Sequence, residues 1–434
     1  MKTLSTALVL VVSVLASMIG TPGDAANVTL EVQYGLPTVE AQTVFKRFVA
    51  DFERANPDIK IELSLVPMDK FLPVSAPKFM AGTAPDIVHA LVGSGIEIFR
   101  NQGALYDLSA FMDADFRSSF VPQFWGTLGT HALPISVQLE GLIFYRTDKF
   151  KKAGVIPPAG DTPWTWDEFL AAAKKLTKDV NGDGVIDEWG FAERGMLGFR
   201  FTKASIPYYR AAGTDVIRQN GKGKWVSTFD TSETQKALRF QVDLMTKHQV
   251  RPKASITWGS PEGYRAWKEG AIAMFNIGSY YEWTIRTMTP DLQFADGWDV
   301  MLFPVANKSI QPSILLQEEG FAITRQSKHP QEAWRFLKFL YTKDRLKELA
   351  IVNTEAIPAL KDSLNLPYYT QQKQLWVQKL SKWMKYVSPQ VSHPKYVPIW
   401  SNIIGPITQE IMGGKMDVEP GAREMHGRIN RDLQ

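Results

Sequence analysis

Hydrophobic and polar residues form two alternating kinds of pattern after the first 27 residues of the chain. Strict alternation predicts a strand over residues 28–34, and apolar residues at helical spacing predict a helix over residues 38–55. The same criteria predict a strand over residues 59–66, a helix over 70–80 and a strand over 86–90. This β-α-β-α-β order predicts a parallel sheet covered by helices, so the predicted fold class is α/β.

Helical periodicity returns in four later segments, at residues 166–176, 231–248, 263–268 and 330–349. No repeat of fixed period and no low-complexity linker separates these segments, so the domains are predicted to be interleaved along the chain. Ligands of parallel sheets bind outside the carboxyl ends of the strands. Tyr34 and His89 come at two such ends, which makes both of them candidate ligand contacts.

The first 20 residues are the stretch that is apolar enough to enter a bilayer. Lys2 precedes an apolar run at residues 4–19, which is short for a membrane span, and Ala25 and Ala26 offer small residues for cleavage. This pattern is typical of a secretory signal peptide over residues 1–26. A retained membrane anchor is the alternative, and the marginal length of the apolar run disfavours it.

Composition narrows the classes of partner and compartment. The 434 residues include 49 Lys and Arg, 45 Asp and Glu, and no Cys. The net charge of +4 is dispersed without a long basic run, so nucleic acid is not a favoured partner. The absence of cysteine excludes disulfides, thiolate metal sites and a lipid anchor carried on an N-terminal cysteine. We therefore expect an exported, periplasmic protein that is not lipid-anchored.

Six local motifs follow one another in a recognisable order. They are FERANPDIKI (52–61), GTAPDIV (82–88), LPISVQ running to FYRTDKF (133–150), TWDEF (165–169), GAIAM (270–274) and GSYY (278–281). In this order they resemble the extracellular solute-binding proteins of carbohydrate ABC importers, the maltose-binding-protein-like family. The resemblance covers essentially the whole chain after the predicted signal segment.

The resemblance implies a two-lobed periplasmic binding protein fold of type II-like α/β architecture. Each lobe would be a mainly parallel sheet flanked by helices, and the ligand would be clamped by closure about a hinge between the lobes. Lobe 1 would comprise residues 27–136 and 318–360, and lobe 2 would comprise residues 137–317 and 361–434. Gly141 and Gly320 lie at two of the implied crossovers and suit a hinge because glycine has wide backbone freedom.

The function implied by the resemblance is capture of a saccharide, most naturally an oligosaccharide, and its delivery to the permease subunits of an ABC transporter by a monomer. Sugar rings offer flat apolar faces and hydroxyl groups, so such a site needs aromatic platforms and planar hydrogen-bonding side chains. By resemblance, Gln138 corresponds to a ligand-contacting glutamate of the family. Tyr280 and Trp400 correspond to two stacking tryptophans, and Tyr34 adds a further aromatic group.

Three other side chains complete the predicted substrate-binding set: His89, Arg200 and Glu318. Arginine between aromatic residues is either a stacked surface residue or a bidentate carboxylate clamp, and a clamp at Arg200 would make an acidic sugar the natural ligand. Each candidate also has a structural alternative, because aromatic, histidine and paired acidic residues often serve the core or the surface of a protein.

A calcium site is predicted in the loop DVNGDGVIDE (179–188). The candidate ligands have the spacing of an EF-hand-type loop. They are Asp179, Asn181, Asp183, the carbonyl of Val185, Asp187 and Glu188. The departure is at the twelfth position, where Gly190 replaces the bidentate glutamate. The alternative is a solvated turn, because Asp, Asn and Gly are the usual turn formers.

The sequence is also compatible with other functions. A binding protein for a phosphorylated polyol is the runner-up, and it would need more cationic contacts. An exported glycoside hydrolase or lyase is a further alternative, because a chain with many dispersed carboxylates contains accidental carboxylate pairs. The sequence contains no Gly-x-Ser-x-Gly and no His-Glu-x-x-His motif, so an enzyme is not expected.

Overall fold

The structure is a computed structural model, and it describes residues 28–36, 38–67, 70–91, 96–125, 129–353, 357–371, 375–388, 390–391 and 393–434. The predicted signal peptide, residues 1–26, lies outside these residues. Within the described ranges, no helix is long and apolar enough to cross a membrane.

The described residues form thirteen strands arranged in three sheets. The strands are β1 (Val28–Leu36), β2 (Ile59–Pro67), β3 (Ile87–Leu91), β4 (Leu133–Glu140), β5 (Leu142–Arg146), β6 (Ala192–Glu193), β7 (Ile217–Gln219), β8 (Trp225–Ser227), β9 (Met274–Ile277), β10 (Trp298–Leu302), β11 (Ile314–Ile323), β12 (Ile357–Pro358) and β13 (Val387–Ser388).

Seventeen α-helices, several of them very short, connect and cover these sheets in the described part of the chain. The helices are α1 (Val39–Ala55), α2 (Phe71–Ala81), α3 (Ile96–Asn101), α4 (Ala114–Ser118), α5 (Thr147–Ala153), α6 (Trp166–Leu176), α7 (Phe199–Ala211), α8 (Ser232–Thr246), α9 (Ser260–Lys268), α10 (Tyr281–Met288), α11 (Pro330–Leu340), α12 (Lys343–Val352), α13 (Pro367–Thr370), α14 (Leu375–Lys382), α15 (Tyr396–Ile399), α16 (Gly405–Met412) and α17 (Val418–Leu433).

The elements predicted from periodicity are present, with one correction. The helix predicted over residues 330–349 is two helices, α11 and α12, separated by Tyr341 and Thr342. Thr342 is extended, and its side chain accepts a hydrogen bond from the backbone N–H of Arg345, which starts α12 afresh. The hydroxyl of Tyr341 donates to the carbonyl of Leu133 in β4, which ties this break to the sheet.

The seven-stranded sheet forms the first lobe and is mixed. Its strand order is β12-β4-β11-β3-β1-β2, and β13 also pairs with β11. Strand β1 is parallel to β2 and β3, but β11 is antiparallel to both β3 and β4. The prediction of a mainly parallel sheet is wrong for the part of the sheet that contains β4 and β11, because these two strands run in opposite directions as the chain passes between the lobes.

The four-stranded sheet forms the second lobe, with the order β10-β5-β9-β6. Strand β5 is antiparallel to both of its neighbours, and the pairing of β6 with β9 is parallel. The prediction of a mainly parallel sheet is therefore wrong here as well. A small antiparallel pair, β7 and β8, lies apart from both sheets.

Buried apolar side chains form two large clusters, and β5 separates them. Alternate residues of a strand point to opposite faces, so Phe144 belongs to one cluster and its neighbours Ile143 and Tyr145 belong to the other. The first cluster packs α1, α11 and α12 on the seven-stranded sheet and continues to one face of the second sheet. The second packs α6, α7, α8, α16 and α17 on the opposite face. Helices thus flank both sheets, as the α/β prediction requires.

Strands β4 and β11 are where the two lobes join. Strand β4 pairs along its length in the first sheet and β5 pairs in the second, so a single residue, Gly141, connects the sheets. Gly141 has a φ of 79°, which glycine adopts without strain, and an added Cβ would lie 2.8 Å from Cγ of Pro207. The lobe boundaries predicted after residues 136 and 317 fall inside β4 and β11, and they stay a prediction.

Replacing Gly320 tests the close pairing of β4 with β11. The register shifts between Glu319 and Gly320, and a Cβ at residue 320 would lie 2.1 Å from the carbonyl oxygen of Leu133. Because a backbone atom cannot move aside cheaply, Gly320→Ala should lower the free energy of unfolding by about 2 kcal/mol or more. Urea denaturation measures this loss. Gly221→Ala is the matched control, since a Cβ there meets nothing within 4 Å, and equal losses in both variants would contradict the prediction.

Candidate functional site

A buried polar network lies in the core of the first lobe. The hydroxyl of Tyr34 donates to Asn353 Oδ1 at 2.7 Å, and Asn353 Nδ2 donates to Glu319 Oε1 at 2.6 Å. His89 Nε2 lies 3.0 Å from the same carboxylate oxygen. The Tyr34 ring stacks on Phe45 with centroids 4.4 Å apart, and burial raises the pKa of Tyr34 well above its ordinary value. The structure therefore brings the predicted site residues Tyr34 and His89 together around one carboxylate.

A row of polar side chains follows one face of β4 and continues onto β11. Because side chains alternate along a strand, Ser136, Gln138 and Glu140 share a face, and Gln317 lies directly opposite Gln138 in the register. Gln317 Nε2 donates to Gln138 Oε1 at 3.4 Å. All four side chains are buried. Glu318, the next residue of β11, is also buried but belongs to the opposite face.

The second lobe meets this row at the segment that follows β9. Leu139 and Ser279 exchange two hydrogen bonds: Leu139 N–H donates to Ser279 Oγ at 3.0 Å, and Ser279 N–H donates to the Leu139 carbonyl at 2.8 Å. These bonds place Tyr280 beside Glu140. Gly278 makes the approach possible, because a Cβ there would lie 2.4 Å from Tyr280 Cε1 and 2.7 Å from Glu140 Oε2.

Two arginines approach the ring of Tyr280. The guanidinium carbon of Arg194 lies 5.6 Å from the ring centroid, and that of Arg200 lies 6.0 Å from it. Arg194 follows β6, and its Nη1 donates to Ser260 Oγ at 3.2 Å. Burial acts to lower the pKa of Arg194, but Tyr280 and Glu140 outweigh it and raise the pKa. Burial also raises the pKa of Tyr280, so its phenol stays protonated.

Gln138, Glu140, Arg194, Tyr280 and Gln317 together form what we call the crossover site. Strands β6 and β9 are parallel and end at this place, which is where ligands of α/β sheets bind. The site combines amides, a carboxylate, a guanidinium and a phenol, all of them buried. Such a set can exchange several hydrogen bonds with a polar ligand and can shield it from water.

A buried lysine extends the charged environment of the crossover site. Lys203 lies on α7, and its Nζ donates to Gln390 Oε1 at 3.4 Å. Burial lowers the pKa of Lys203, and the carboxylates of Glu140, Glu97 and Glu318 act in the opposite direction. Carboxylates of the first lobe and cations of the second lobe therefore face each other across the junction.

The predicted site residue Trp400 lies in the core of the second lobe. Its side chain is fully buried, with ring centroids 5.5 Å from Tyr209, 6.4 Å from Tyr396 and 6.5 Å from Phe201. Trp400 begins a π-helical turn that continues to Ile404, and such turns often occur at functional sites. Phe201 lies on α7 with Arg200, so Trp400 packs behind the helix that supplies this arginine.

The Asp-rich loop forms a hydrogen-bonded turn on the surface. Asp179 accepts hydrogen bonds from the N–H groups of Gly182 and Gly184, both at 2.7 Å, and Asp187 Oδ2 accepts one from Val180 at 2.7 Å. Glu188 forms an ion pair with Lys149 at 2.8 Å. No group of three or more acidic or histidine side chains suited to hold a metal ion occurs among the described residues. Calcium binding at this loop stays a prediction.

Sequence reasoning missed Glu140, Gln317 and Arg194. For Glu140 a local signal exists, because Ser136, Gln138 and Glu140 alternate with apolar residues in a strand buried on both faces. Gln317 and Arg194 lack such a signal, since their significance depends on pairing between β11 and β4 and on the position of β6 beside β9. These are contacts between distant parts of the chain.

Comparison with known proteins supplies an independent finding. The family model for bacterial extracellular solute-binding proteins matches residues 37–345. A putative binding protein of Brucella abortus is 24% identical over 372 residues, which cover 84% of this chain and 83% of that protein.

Solved structures share the fold. A solute-binding protein of Thermotoga lettingae, bound with alpha-D-tagatose, has a TM-score of 0.75 and 22% identity, with 94% of this chain and 100% of that chain covered. A maltose-bound protein of T. maritima matches with the same TM-score, identity and coverage. The two-lobed α/β fold predicted from the sequence is thereby confirmed.

Removing one hydroxyl tests the network of the first lobe. Tyr34→Phe deletes the donor to Asn353 and leaves a buried amide oxygen short of a partner, so the free energy of unfolding should fall by about 1–2 kcal/mol. Urea denaturation measures the loss. Tyr106→Phe is the control, since the described residues show no hydrogen bond to its hydroxyl, and a loss as large in the control would contradict the expectation. Ligand affinity of the same variant tests the binding role predicted for Tyr34.

Adding and removing calcium tests the loop at residues 179–188. If the loop binds the ion, free calcium at 100 times its Kd should stabilise the protein by about 2.7 kcal/mol. Thermal unfolding with calcium and with EGTA measures this difference, and Asp183→Ala should abolish it. Asp291→Ala, at an exposed position, should keep it. Equal melting temperatures with calcium and EGTA, together with no metal by elemental analysis, would refute the prediction.

Proposed function

Because the chain belongs to the family of bacterial extracellular solute-binding proteins, we propose that it binds a saccharide between its two lobes and delivers it to the permease of an ABC transporter. The observation that carries this proposal is the crossover site. Gln138, Glu140 and Gln317 come from strands of the first lobe, whereas Arg194 and Tyr280 come from strand ends of the second lobe. A ligand held by both sets would stabilise the closed arrangement of the lobes.

The chemistry of the crossover site supports a saccharide as the ligand class. Planar amide, carboxylate and guanidinium groups make directional hydrogen bonds with hydroxyls, and the Tyr280 ring offers a face for an apolar sugar surface. The structural neighbours described above hold a monosaccharide, alpha-D-tagatose, and a disaccharide, maltose. We extend their ligand class, but not their particular sugars, to this protein.

Arg200 and Trp400 extend the proposed site beyond the crossover site. Arg200 lies against Tyr280, and Trp400 supports the helix that carries Arg200. His89, Tyr34 and Glu318 lie in the first lobe. We propose that they contact the ligand or support the strands whose side chains contact it. Glu318 lies on β11, next to Gln317 of the crossover site.

A charged ligand is the second candidate, and the three cations Arg194, Arg200 and Lys203 favour it. They would suit an acidic saccharide or a phosphorylated polyol.

Binding rather than bond cleavage is the role of the family, so catalysis is not proposed. The protein is proposed to act as a periplasmic monomer after removal of residues 1–26, without a lipid anchor.

Saccharide binding is the direct test of the proposed function. A thermal-shift screen of the exported protein against mono- and oligosaccharides should find at least one that raises the melting temperature, and calorimetry should give its Kd. Tyr280→Ala should weaken that binding roughly 30-fold, because truncating a buried anchor typically costs about 2 kcal/mol. Trp400→Phe should weaken binding less, because it only loosens the packing against helix α7, which carries Arg200.

Trp225→Phe is the control for these variants, since Trp225 is partly exposed on β8 and its ring is tilted against that of His393, with ring centroids 5.2 Å apart. Its affinity should equal that of the unaltered protein. If no saccharide stabilises the protein, or if Tyr280→Ala binds as tightly as the unaltered protein, the proposed function or the proposed site is wrong.

A further inference from the structure

The crossover site contains a compact group of three polar side chains that are deeply buried. Glu140 and Arg194 are each 1% exposed, and Tyr280 is 9% exposed. Gly278 holds two of them close together, since a Cβ at this residue would lie within 3 Å of both Glu140 and Tyr280. Arg194 completes the group, because its guanidinium carbon lies 5.6 Å from the centroid of the Tyr280 ring.

Two of these side chains have a polar atom that no described residue satisfies. The atoms are Glu140 Oε1 and Arg194 Nε, and the Tyr280 side chain interacts with Arg194. Buried polar atoms are nearly always hydrogen-bonded, because leaving them without a partner is costly. Two such atoms on neighbouring side chains, one from each lobe, indicate a place that a ligand fills.

The types of these atoms restrict the chemistry of the ligand. Glu140 Oε1 is an acceptor, Arg194 Nε–H is a donor, and the Tyr280 hydroxyl is both. A pair of neutral hydroxyls matches this set, since each hydroxyl donates and accepts. A carboxylate or phosphate of the ligand offers acceptors only and would lie against the carboxylate of Glu140, where like charges repel.

The surrounding charges support the same conclusion. Arg194 and Arg200 approach Tyr280, and Lys203 lies on the adjacent helix α7. The carboxylates of Glu140, Glu97 and Glu318 act to raise the pKa of Lys203, and the carboxylate of Glu140 also acts to raise the pKa of Arg194. The cations of the site thus have acidic neighbours within the protein and do not require an anionic ligand for compensation.

We infer that Glu140, Arg194 and Tyr280 bind adjacent neutral hydroxyls of the ligand and select a neutral saccharide over an acidic or phosphorylated one. This inference rests on the proposed function and narrows its substrate class. Glu140 supplies the selection against anions, Arg194 supplies the donor, and Tyr280 supplies both a hydroxyl and a ring face.

Matched pairs of probes test the selectivity. The exported protein is titrated calorimetrically with D-galactose and D-galacturonate, with trigalacturonate methyl ester and free trigalacturonate, and with ribitol and ribitol 5-phosphate. In every pair that binds, the neutral member should bind at least tenfold more tightly. Tighter binding of the charged members would overturn the inference and leave the proposed function standing. If neither these probes nor any saccharide of the screen binds, the proposed function fails and the inference fails with it.

Substitution of Glu140 tests the assigned residue. Glu140→Gln keeps the shape of the side chain and removes its charge, so the preference for the neutral member should shrink at least tenfold. Arg194→Gln should weaken binding of the neutral member about tenfold. Glu348→Gln, which alters an exposed ion pair with Arg47, should leave both affinities unchanged.

Thermal unfolding without ligand checks that each variant folds. An unchanged preference in a folded Glu140→Gln variant would overturn the role of Glu140. Because the comparison of matched probes needs only the unaltered protein, the inference stays falsifiable even if a substituted protein does not fold.

Discussion

Strands β4 and β11 carry polar side chains through a region from which water is excluded, and the organisation of the molecule depends on how those groups are satisfied. Both strands are buried along their whole length, yet they include Gln138, Glu140, Gln317, Glu318 and Glu319. An apolar strand would stabilise the junction of the lobes more simply, since buried charges and amides stabilise a fold only when they are paired. Their presence here constrains every element that packs on the two strands.

Two carboxylates on these strands illustrate two different outcomes. Glu319 is satisfied inside the protein, because Asn353 donates to Oε1 at 2.6 Å, His89 lies 3.0 Å from the same oxygen, and Ser136 Oγ donates to Oε2 at 3.4 Å. Glu140 keeps one buried oxygen without a partner among the described residues. A carboxylate with complete pairing serves the first lobe as a structural centre, whereas one with an open oxygen at the strand ends of the second lobe is suited to an incoming donor.

The sequence predicted most of the local structure and part of the site. Amphipathic periodicity located α6 at Trp166–Leu176, and the capping box of Thr165 and Glu168 explains why it begins there. Periodicity failed at Tyr341, because an apolar pattern can continue across a short break in the backbone. It also failed to predict the mixed sheets, since strand direction is decided when β4 and β11 pair at long range. Motif resemblance drew attention to Gln138 and Tyr280, but it could not reveal Arg194, whose neighbours come from distant segments.

The residue before Arg194 explains how such a short strand can hold a binding group in place. Strand β6 has only two residues, but the side chain of Glu193 is fixed inside the second lobe. It accepts hydrogen bonds from Tyr208 at 2.8 Å and Asn276 at 3.0 Å, and it forms a buried ion pair with Arg251. Breaking a buried pair of this kind is strongly destabilising, so the backbone at residue 193 is held firmly. Arg194 follows directly on this fixed residue, and its guanidinium carbon lies 5.6 Å from the centroid of the Tyr280 ring. The polar core of the second lobe therefore orients the group that faces the ligand, and the precision of the site derives from a network that the ligand does not touch.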